Sequence, residues 1–464
     1  MNRTAKLTLF SCAIALALSP ALAFGEDLLQ AYEQARASDP VLAQADATRL
    51  ASQQGVVQAR ALLLPQVNAT YSYSQSHGTS SSTQPFSTAS GFQIFNFTSS
   101  STNYGTQLQG VLSQTLFNFS DWANLQAAHS TAQSQNASYA SAEQNLYLRV
   151  ATAYFGVLAA QDQLNYAKAN EKALKSQLDQ AKQRFEVGLA AITDVNQAKA
   201  QYDTAVATVI TTRNNLDDAR EALTQITGKP ANDLQPLRNG IPLNAPSPDN
   251  LEDWVNMALA DNPALRASRE QVRAASDTVH SAYGAHLPTL SAQVSYTRAP
   301  GWADQNSRLG GIGAYHSNSL SRDTVIGVVL NIPIFSGFGT QARVRQAIYN
   351  RDSAQDVLEQ NRRALVRSTR NAFRSVLAGV ASVEANKAAV TSAQSSLEAT
   401  QAGYEVGTQT IVDVLLAQQT LFQAQSAYSQ SRYQLLLNRL ALAYDGGKLG
   451  YAQLQEVNAL LKSS

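Results

Sequence analysis

The chain has almost no cysteine. Its single Cys12 falls within the first 23 of 464 residues, so the rest of the chain has neither a disulfide frame nor a thiolate nucleophile. Charge is scarce too: Asp, Glu, Lys and Arg make up 15% of the sequence, which is unusual for a soluble enzyme. Taking Arg3 and Lys6 from the 35 basic side chains leaves 33 against 34 acidic ones, so there is no basic field for nucleic acid. After residue 23 no apolar run reaches the roughly 18 residues of a membrane-spanning helix. The five histidines (His77, His129, His280, His286, His316) include no HExxH and no i,i+4 pair. The run Gly310-Gly311-Ile312-Gly313 does not lead into a helix, so it is not a nucleotide-binding turn. No catalytic constellation, metal set or cofactor motif stands out, and the reading is of a protein that is not an enzyme.

The first 23 residues are themselves informative. Arg3 and Lys6 precede an apolar run, Leu7 to Leu18, and the small-x-small site Ala21-Leu22-Ala23. That reads as a signal peptide, and the mature chain is expected to begin near Phe24. Leu9-Phe10-Ser11-Cys12 is only loosely like a lipoprotein box, because Phe10 is bulky and most of the apolar run lies after the cysteine. Cys12 is discarded with the signal.

What is present is a duplication. Phe185-Glu186-Val187-Gly188-Leu189-Ala190-Ala191-Ile192-Thr193-Asp194 is echoed 219 residues later by Tyr404-Glu405-Val406-Gly407-Thr408-Gln409-Thr410-Ile411-Val412-Asp413. Asp39-Pro40, Leu64-Pro65, Leu112 to Phe117 and Phe155 recur as Asn262-Pro263, Leu287-Pro288, Leu330 to Phe335 and Phe373, in the same order. In both copies of the first motif a long Ala/Gln/Leu helix pattern ends at Gly, and Asp stands where the next helix begins. The pattern predicts an αα-hairpin tip with Gly in the left-handed position and Asp capping the following helix.

Each half opens with a short helix, then one of about 23 residues stopped by Leu-Pro, since the residue before proline is driven out of the α region. Alternation takes over: Val67, Ala69, Tyr71 and Tyr73 on one face, Asn68, Thr70, Ser72 and Ser74 on the other. Leu290, Ala292, Val294 and Tyr296 repeat this, and Gln107 to Leu116 and Thr324 to Ile334 supply partner strands. The expectation is four strands of about ten residues, joined within each pair by Ser/Thr/Asn/Gly loops over 76–103 and 299–322. Tyr71, Tyr73, Phe117, Phe119, Trp122, Tyr296, Phe335 and Phe338 gather at strand ends, as in the aromatic girdles of outer-membrane strands. Any one strand alone also fits a soluble sheet with one wet face.

Helical periodicity returns over Ser120 to Phe185 and Gly339 to Tyr404. At 1.5 Å per residue each run makes a helix of about 100 Å, which no globular domain holds, so it must be coiled against others. Shorter helices come after the tips, over Asp194 to Thr227 and about 413–443. The division is therefore 1–23 signal, 24–227 first repeat, 228–250 connector rich in Pro230, Pro236, Pro242, Pro246 and Pro248, 251–444 second repeat, and 445–464 tail. A transmembrane sheet leaves no open edge in lipid, so a chain with four strands must associate. Two chains would give a barrel filled by its side chains; three give the smallest with an open bore, twelve strands in all.

Arg184 to Val195, Gly403 to Thr408 with Thr410 to Leu415, and Arg213-Asn214-Asn215-Leu216-Asp217 resemble the TolC family of outer-membrane channel-tunnels, also called outer membrane efflux proteins. The resemblance runs from Leu28 to about Leu461. It implies a mixed α/β membrane protein: a homotrimer whose twelve-stranded β-barrel stands in the lipid of a Gram-negative outer membrane, continued into the periplasm by a coiled-coil α-helical barrel. It further implies partners, a periplasmic adaptor (membrane fusion) protein and an inner-membrane RND, ABC or MFS pump, and export of drugs or proteins. By position, Asp194 and Tyr404 match residues that link the tips and hold the gate shut, and Asp413 matches an acidic ring at the entrance. Val187, Gly188, Leu189, Val406, Gly407 and Thr408 fall on turns offered to the adaptor. Two departures matter: Gln409 stands where the family pattern has Arg, and Leu416 where it has a second Asp. The contrasting reading is a periplasmic or surface coiled-coil stalk without transport, which would need no amphipathic strand pairs.

Overall fold

The computed structural model describes residues 25–231, 233–238, 240–307 and 314–462. The segment 1–23, expected to be a signal, and Gly310 to Gly313 lie outside the described residues. Elements run in the order α1 (Leu28–Ser38), α2 (Pro40–Ala61), β1 (Gln66–Thr88), β2 (Gly91–Phe117), α3 (Phe119–Glu186), α4 (Ile192–Thr227), α5 (Leu251–Asp261), α6 (Pro263–Gly284), β3 (Thr289–Ser307), β4 (Tyr315–Asn331), α7 (Gly339–Glu405), α8 (Ile411–Asp445) and α9 (Tyr451–Asn458). The chain divides into two units, one of Met1–Thr48, Asn136–Ala267 and Glu359–Ser464, the other of Arg49–Gln135 and Ser268–Leu358.

The second unit carries an antiparallel sheet in the order β1-β2-β3-β4. The strands are far longer than the ten residues expected: 23, 27, 19 and 17. The segment 76–103 is not a loop, for Ser76↔Asn103 through Thr88↔Gly91 are paired in an unbroken ladder. Likewise β3 runs on to Ser307 and β4 starts at Tyr315, so most of 299–322 is strand. Uncharged Ser and Thr are compatible with a ladder as well as with a loop, and Phe86 packs across the strands on Phe95 and Phe97 at 5.9 and 5.6 Å. In turn β4 stops at Asn331, short of the expected Ile334, just ahead of Pro333, which has no N–H to donate.

Registers fix the two faces. Val67, Leu112, Val294 and Ile326 form one transverse row. Tyr71, Leu108, Arg298 and Arg322 form another on the same face. The opposite face presents small uncharged groups such as Asn68, Thr70, Ser72, Gln109, Ser295 and Thr297. The apolar face suits lipid, and the small polar face suits a water-filled lumen.

In the first unit the helices pack along seams. On α4 the buried positions are Ala198, Ala205, Val209, Leu216, Leu223 and Thr227, recurring at seven and four residues as coiled packing demands. The largest core joins α1, α3, α4, α8 and α9 through Tyr32, Leu146, Tyr154, Phe155, Leu223, Tyr433, Leu436 and Leu454. Each 22-residue helix after the opening one starts on proline, preceded by an acceptor. Asp39 Oδ2 accepts from Leu42 N at 2.8 Å, and Asn262 Oδ1 accepts from Ala264 and Leu265 N at 3.0 and 3.2 Å. Asp39 also holds Arg149 by two hydrogen bonds of 2.6 and 3.1 Å. Burial works to raise its carboxyl, but the guanidinium and the backbone N–H together hold it below the usual range. The connector bonds to two segments distant in sequence: Glu26 N donates to Asp233 O at 2.7 Å, and Lys462 N to Pro236 O at 2.8 Å.

Candidate functional site: the paired hairpin tips

Both tips close by the same backbone device. After α3, Gly188 takes φ 78°, its N–H donates to Phe185 O at 2.9 Å, and Leu189 N donates to Arg184 O at 2.8 Å. After α7, Gly407 takes φ 83°, donating to Tyr404 O at 3.2 Å, and Thr408 N reaches Gly403 O at 2.8 Å. These are Schellman turns, and the left-handed position is where a Cβ would be strained.

The two aspartates do not cap as expected. Helix α4 begins at Ile192 with Ala191 as its cap, which offers no side-chain oxygen, and Asp194 is the third helical residue. Helix α8 begins at Ile411 with Thr410 as its cap, and Asp413 is again third. Asp413 completes a capping box: its N–H donates to Thr410 Oγ1 at 3.3 Å, while Oδ2 accepts from Thr410 N at 2.9 Å and from the hydroxyl at 2.7 Å. The Thr410 hydroxyl first, then its backbone N–H, hold the Asp413 carboxyl below its ordinary range. Thr410, rather than Asp413, is the residue that a sequence search for S/T-x-x-D should pick as the cap. Asp194 lacks such a partner; Thr193 Oγ1 lies 3.5 Å from its Oδ1.

Around these turns apolar side chains face solvent: Val187 at 68% exposed, Leu189 at 76% and Val406 at 75%, with Ile192, Val412 and Leu416 beside them. Gln409 folds back over Gly403, where an added Cβ would meet its Cγ at 2.6 Å. Gly403 is thus closed to a larger side chain by Gln409.

What joins the tips is Arg184, which the motif contains but which pattern reading did not single out. Its guanidinium lies over the Tyr404 ring, 4.5 Å from the centroid. It also donates to Tyr404 O at 3.3 Å and Glu405 O at 3.4 Å. Beneath it Leu174, Leu178, Ala181, Ala198, Leu397, Tyr404, Ile411 and Val414 make one core from α3, α4, α7 and α8. Tyr404 is buried, and its hydroxyl has no partner within the protomer. No hydrogen bond within the protomer unites Asp194 with Tyr404; each approaches the tip from its own repeat.

A family model described as outer membrane efflux protein matches residues 31–229 and 254–444. The chain is similar to the outer membrane protein TolC of Escherichia coli, at 37% identity over 97% of this chain and 88% of that one. It is similar to the alkaline protease secretion protein AprF of Pseudomonas aeruginosa at 29% identity, over 94% of this chain and 88% of that one. In fold it is similar to the CmeC outer membrane channel of Campylobacter jejuni, with a TM-score of 0.73 at 18% identity, covering 94% and 90% of the two chains.

Proposed function

The chain belongs to the outer membrane efflux protein family, and from that membership and the geometry of its tips we propose that it is a passive duct whose entrance is set by the two hairpin turns. It is an outer-membrane protein of the Gram-negative type, and its four strands make one third of a trimeric twelve-stranded barrel. It works with a periplasmic adaptor and an inner-membrane pump as the exit duct of efflux and type I secretion systems. As a member of a channel family it catalyses no reaction of its own; the pump supplies the energy.

The gate consists of Asp194, Tyr404, Gln409 and Asp413, with Arg184 added to them. The observation that carries this reading is the Arg184–Tyr404 contact, because it ties the end of α3 to the end of α7 where the two repeats meet. The unsatisfied Tyr404 hydroxyl points to a partner supplied by another protomer, since a buried hydroxyl left alone is costly. Gln409 offers an amide where the family pattern has a cation, and Leu416 leaves one carboxylate per chain at the entrance. Val187, Gly188, Leu189, Val406, Gly407 and Thr408 form the adaptor's docking surface: exposed apolar side chains on a rigid turn are poor neighbours for water and good ones for a partner hairpin.

Because the one cysteine, Cys12, lies within the first 23 residues, far in sequence from the tips, single cysteines placed at Leu189 and Thr408 test the docking directly. With an adaptor carrying one cysteine at its own hairpin tip, bismaleimide adducts at these positions, and none with a cysteine at Tyr349, are the expected result. Adducts at Tyr349 and none at the tips would overturn the assignment.

A further inference from the structure

Charge is nearly absent from the sheet, and where it occurs it is placed with care. The described strands contain two arginines, Arg298 and Arg322, and these are directly opposite one another in the β3–β4 ladder. They share a transverse row with Leu108 and Tyr71, so both project from the apolar face that meets lipid. Both are exposed. Like charges placed opposite each other in a ladder repel, and a lipid face is a poor place for either.

No carboxylate offsets them. The strands hold two, Asp304 and Asp323. Asp323 is on the lumen face, in the row of Thr297, where Ser321 Oγ lies 3.2 Å from it. Asp304 is on the lipid face but is held by His316 at 2.7 Å, and it stands three rows further from the helix-bearing end. The two guanidiniums therefore face outward without an ion-pair partner among the described residues.

Their height along the barrel says what they meet. Arg298 is the tenth residue of β3 counted from its helix-bearing end, and Arg322 the tenth of β4 counted from its own. With strands tilted ~40° at ~3.4 Å per residue, that is about 23 Å up an apolar band ~25 Å tall. The helix-bearing end is periplasmic, so the pair lies at the outer-leaflet headgroup level. Tyr104 and Trp302 stack just above it at 6.1 Å, as expected of an interfacial belt. Below it Leu112, Val294 and Ile326 continue the greasy face, and two rows above it Gln75 and Asn318 offer amides.

We propose that Arg298 and Arg322 form a binding site for the phosphomonoester headgroup of an outer-leaflet glycolipid. Two opposed guanidiniums match a dianionic phosphate, each offering a planar fork of N–H donors to its oxygens. A phosphodiester lipid carries one charge and leaves one arginine uncompensated. Acyl chains lie down the apolar rows, and the amides above face the sugar.

The test uses the purified full-length trimer in detergent, with lipid binding followed by native mass spectrometry. Diphosphorylated lipid A should be retained by the parent protein, and retained at least tenfold more weakly by Arg298→Gln/Arg322→Gln. Arg298→Lys/Arg322→Lys, which keeps the charge but not the planar forks, should bind more weakly than the parent and more tightly than the glutamine variant. On the parent protein itself, fully dephosphorylated lipid A should bind at least tenfold more weakly, a comparison that needs no variant to fold. Equal retention by parent and glutamine variant, or of phosphorylated and dephosphorylated lipid, would overturn the proposal. So would phosphatidylglycerol binding as tightly as lipid A, or displacement of lipid A by millimolar inorganic phosphate, which would mark a general anionic-lipid or free-ion site.

Discussion

Replacing Arg184 with alanine should loosen the entrance without unfolding the protein. The guanidinium is half-buried, sits 4.5 Å from the Tyr404 ring centroid and makes two long hydrogen bonds of 3.3 and 3.4 Å to carbonyls. A cation over an aromatic face in such a setting contributes about 0.5–1 kcal/mol, and the long hydrogen bonds together a similar amount. The loss is therefore about 1–2 kcal/mol per protomer, a factor of roughly 5–30 in the balance between joined and separated tips. Since the core beneath is made by Leu178, Leu397, Ile411 and Val414, thermal stability should change little. Single-channel recording in planar bilayers reads the balance as the ratio of dwell times at high and low conductance, and Arg184→Ala should raise it by at least fivefold. Arg184→Lys, which keeps the cation but not the planar fork, should fall between. A dwell ratio unchanged within twofold in Arg184→Ala would refute the idea that this contact joins the repeats.

Two further outcomes concern stability and its pH dependence. Asp39→Asn keeps a cap for α2 but leaves Arg149 without its carboxylate; with Arg149 28% and Asp39 2% exposed, the cost should be about 3 kcal/mol. Because Asp39 titrates below its ordinary 3.8, its contribution is complete above that pH and fades as the pH falls through the lowered value, so denaturation midpoints of parent and variant should converge in strong acid. Asp445 behaves oppositely: burial raises its carboxyl, and the Ser368 hydroxyl offsets only part of this. The folded state then holds that proton more tightly, so stability is lost as pH rises above 3.8 and through the raised value, and Asp445→Asn should raise the melting temperature at neutral pH but not near pH 3.

Much of the fold was legible in the chain. Gly188 and Gly407 announce their left-handed turns, because few other residues tolerate that position, and Asp39-Pro40 and Asn262-Pro263 announce helix starts. The strand lengths were not legible, since Ser, Thr and Asn serve a ladder as readily as a loop and only the pairing partner decides. Nor was the placement of the aspartates, as caps and third helical residues share the same composition. Arg184 had one signal that went unused. It aligns with Gly403, where Gln409 leaves no room for a side chain, so the two copies differ just where one tip reaches for the other.

The most direct test of a gated duct is planar-bilayer conductance of the purified trimer with salt asymmetric across the membrane. Small, long-lived, cation-selective steps are expected, with selectivity reduced in Asp413→Ala as a carboxylate leaves the entrance. Silence from verified trimers inserted in the bilayer, or a reversal potential indifferent to Asp413, would contradict it.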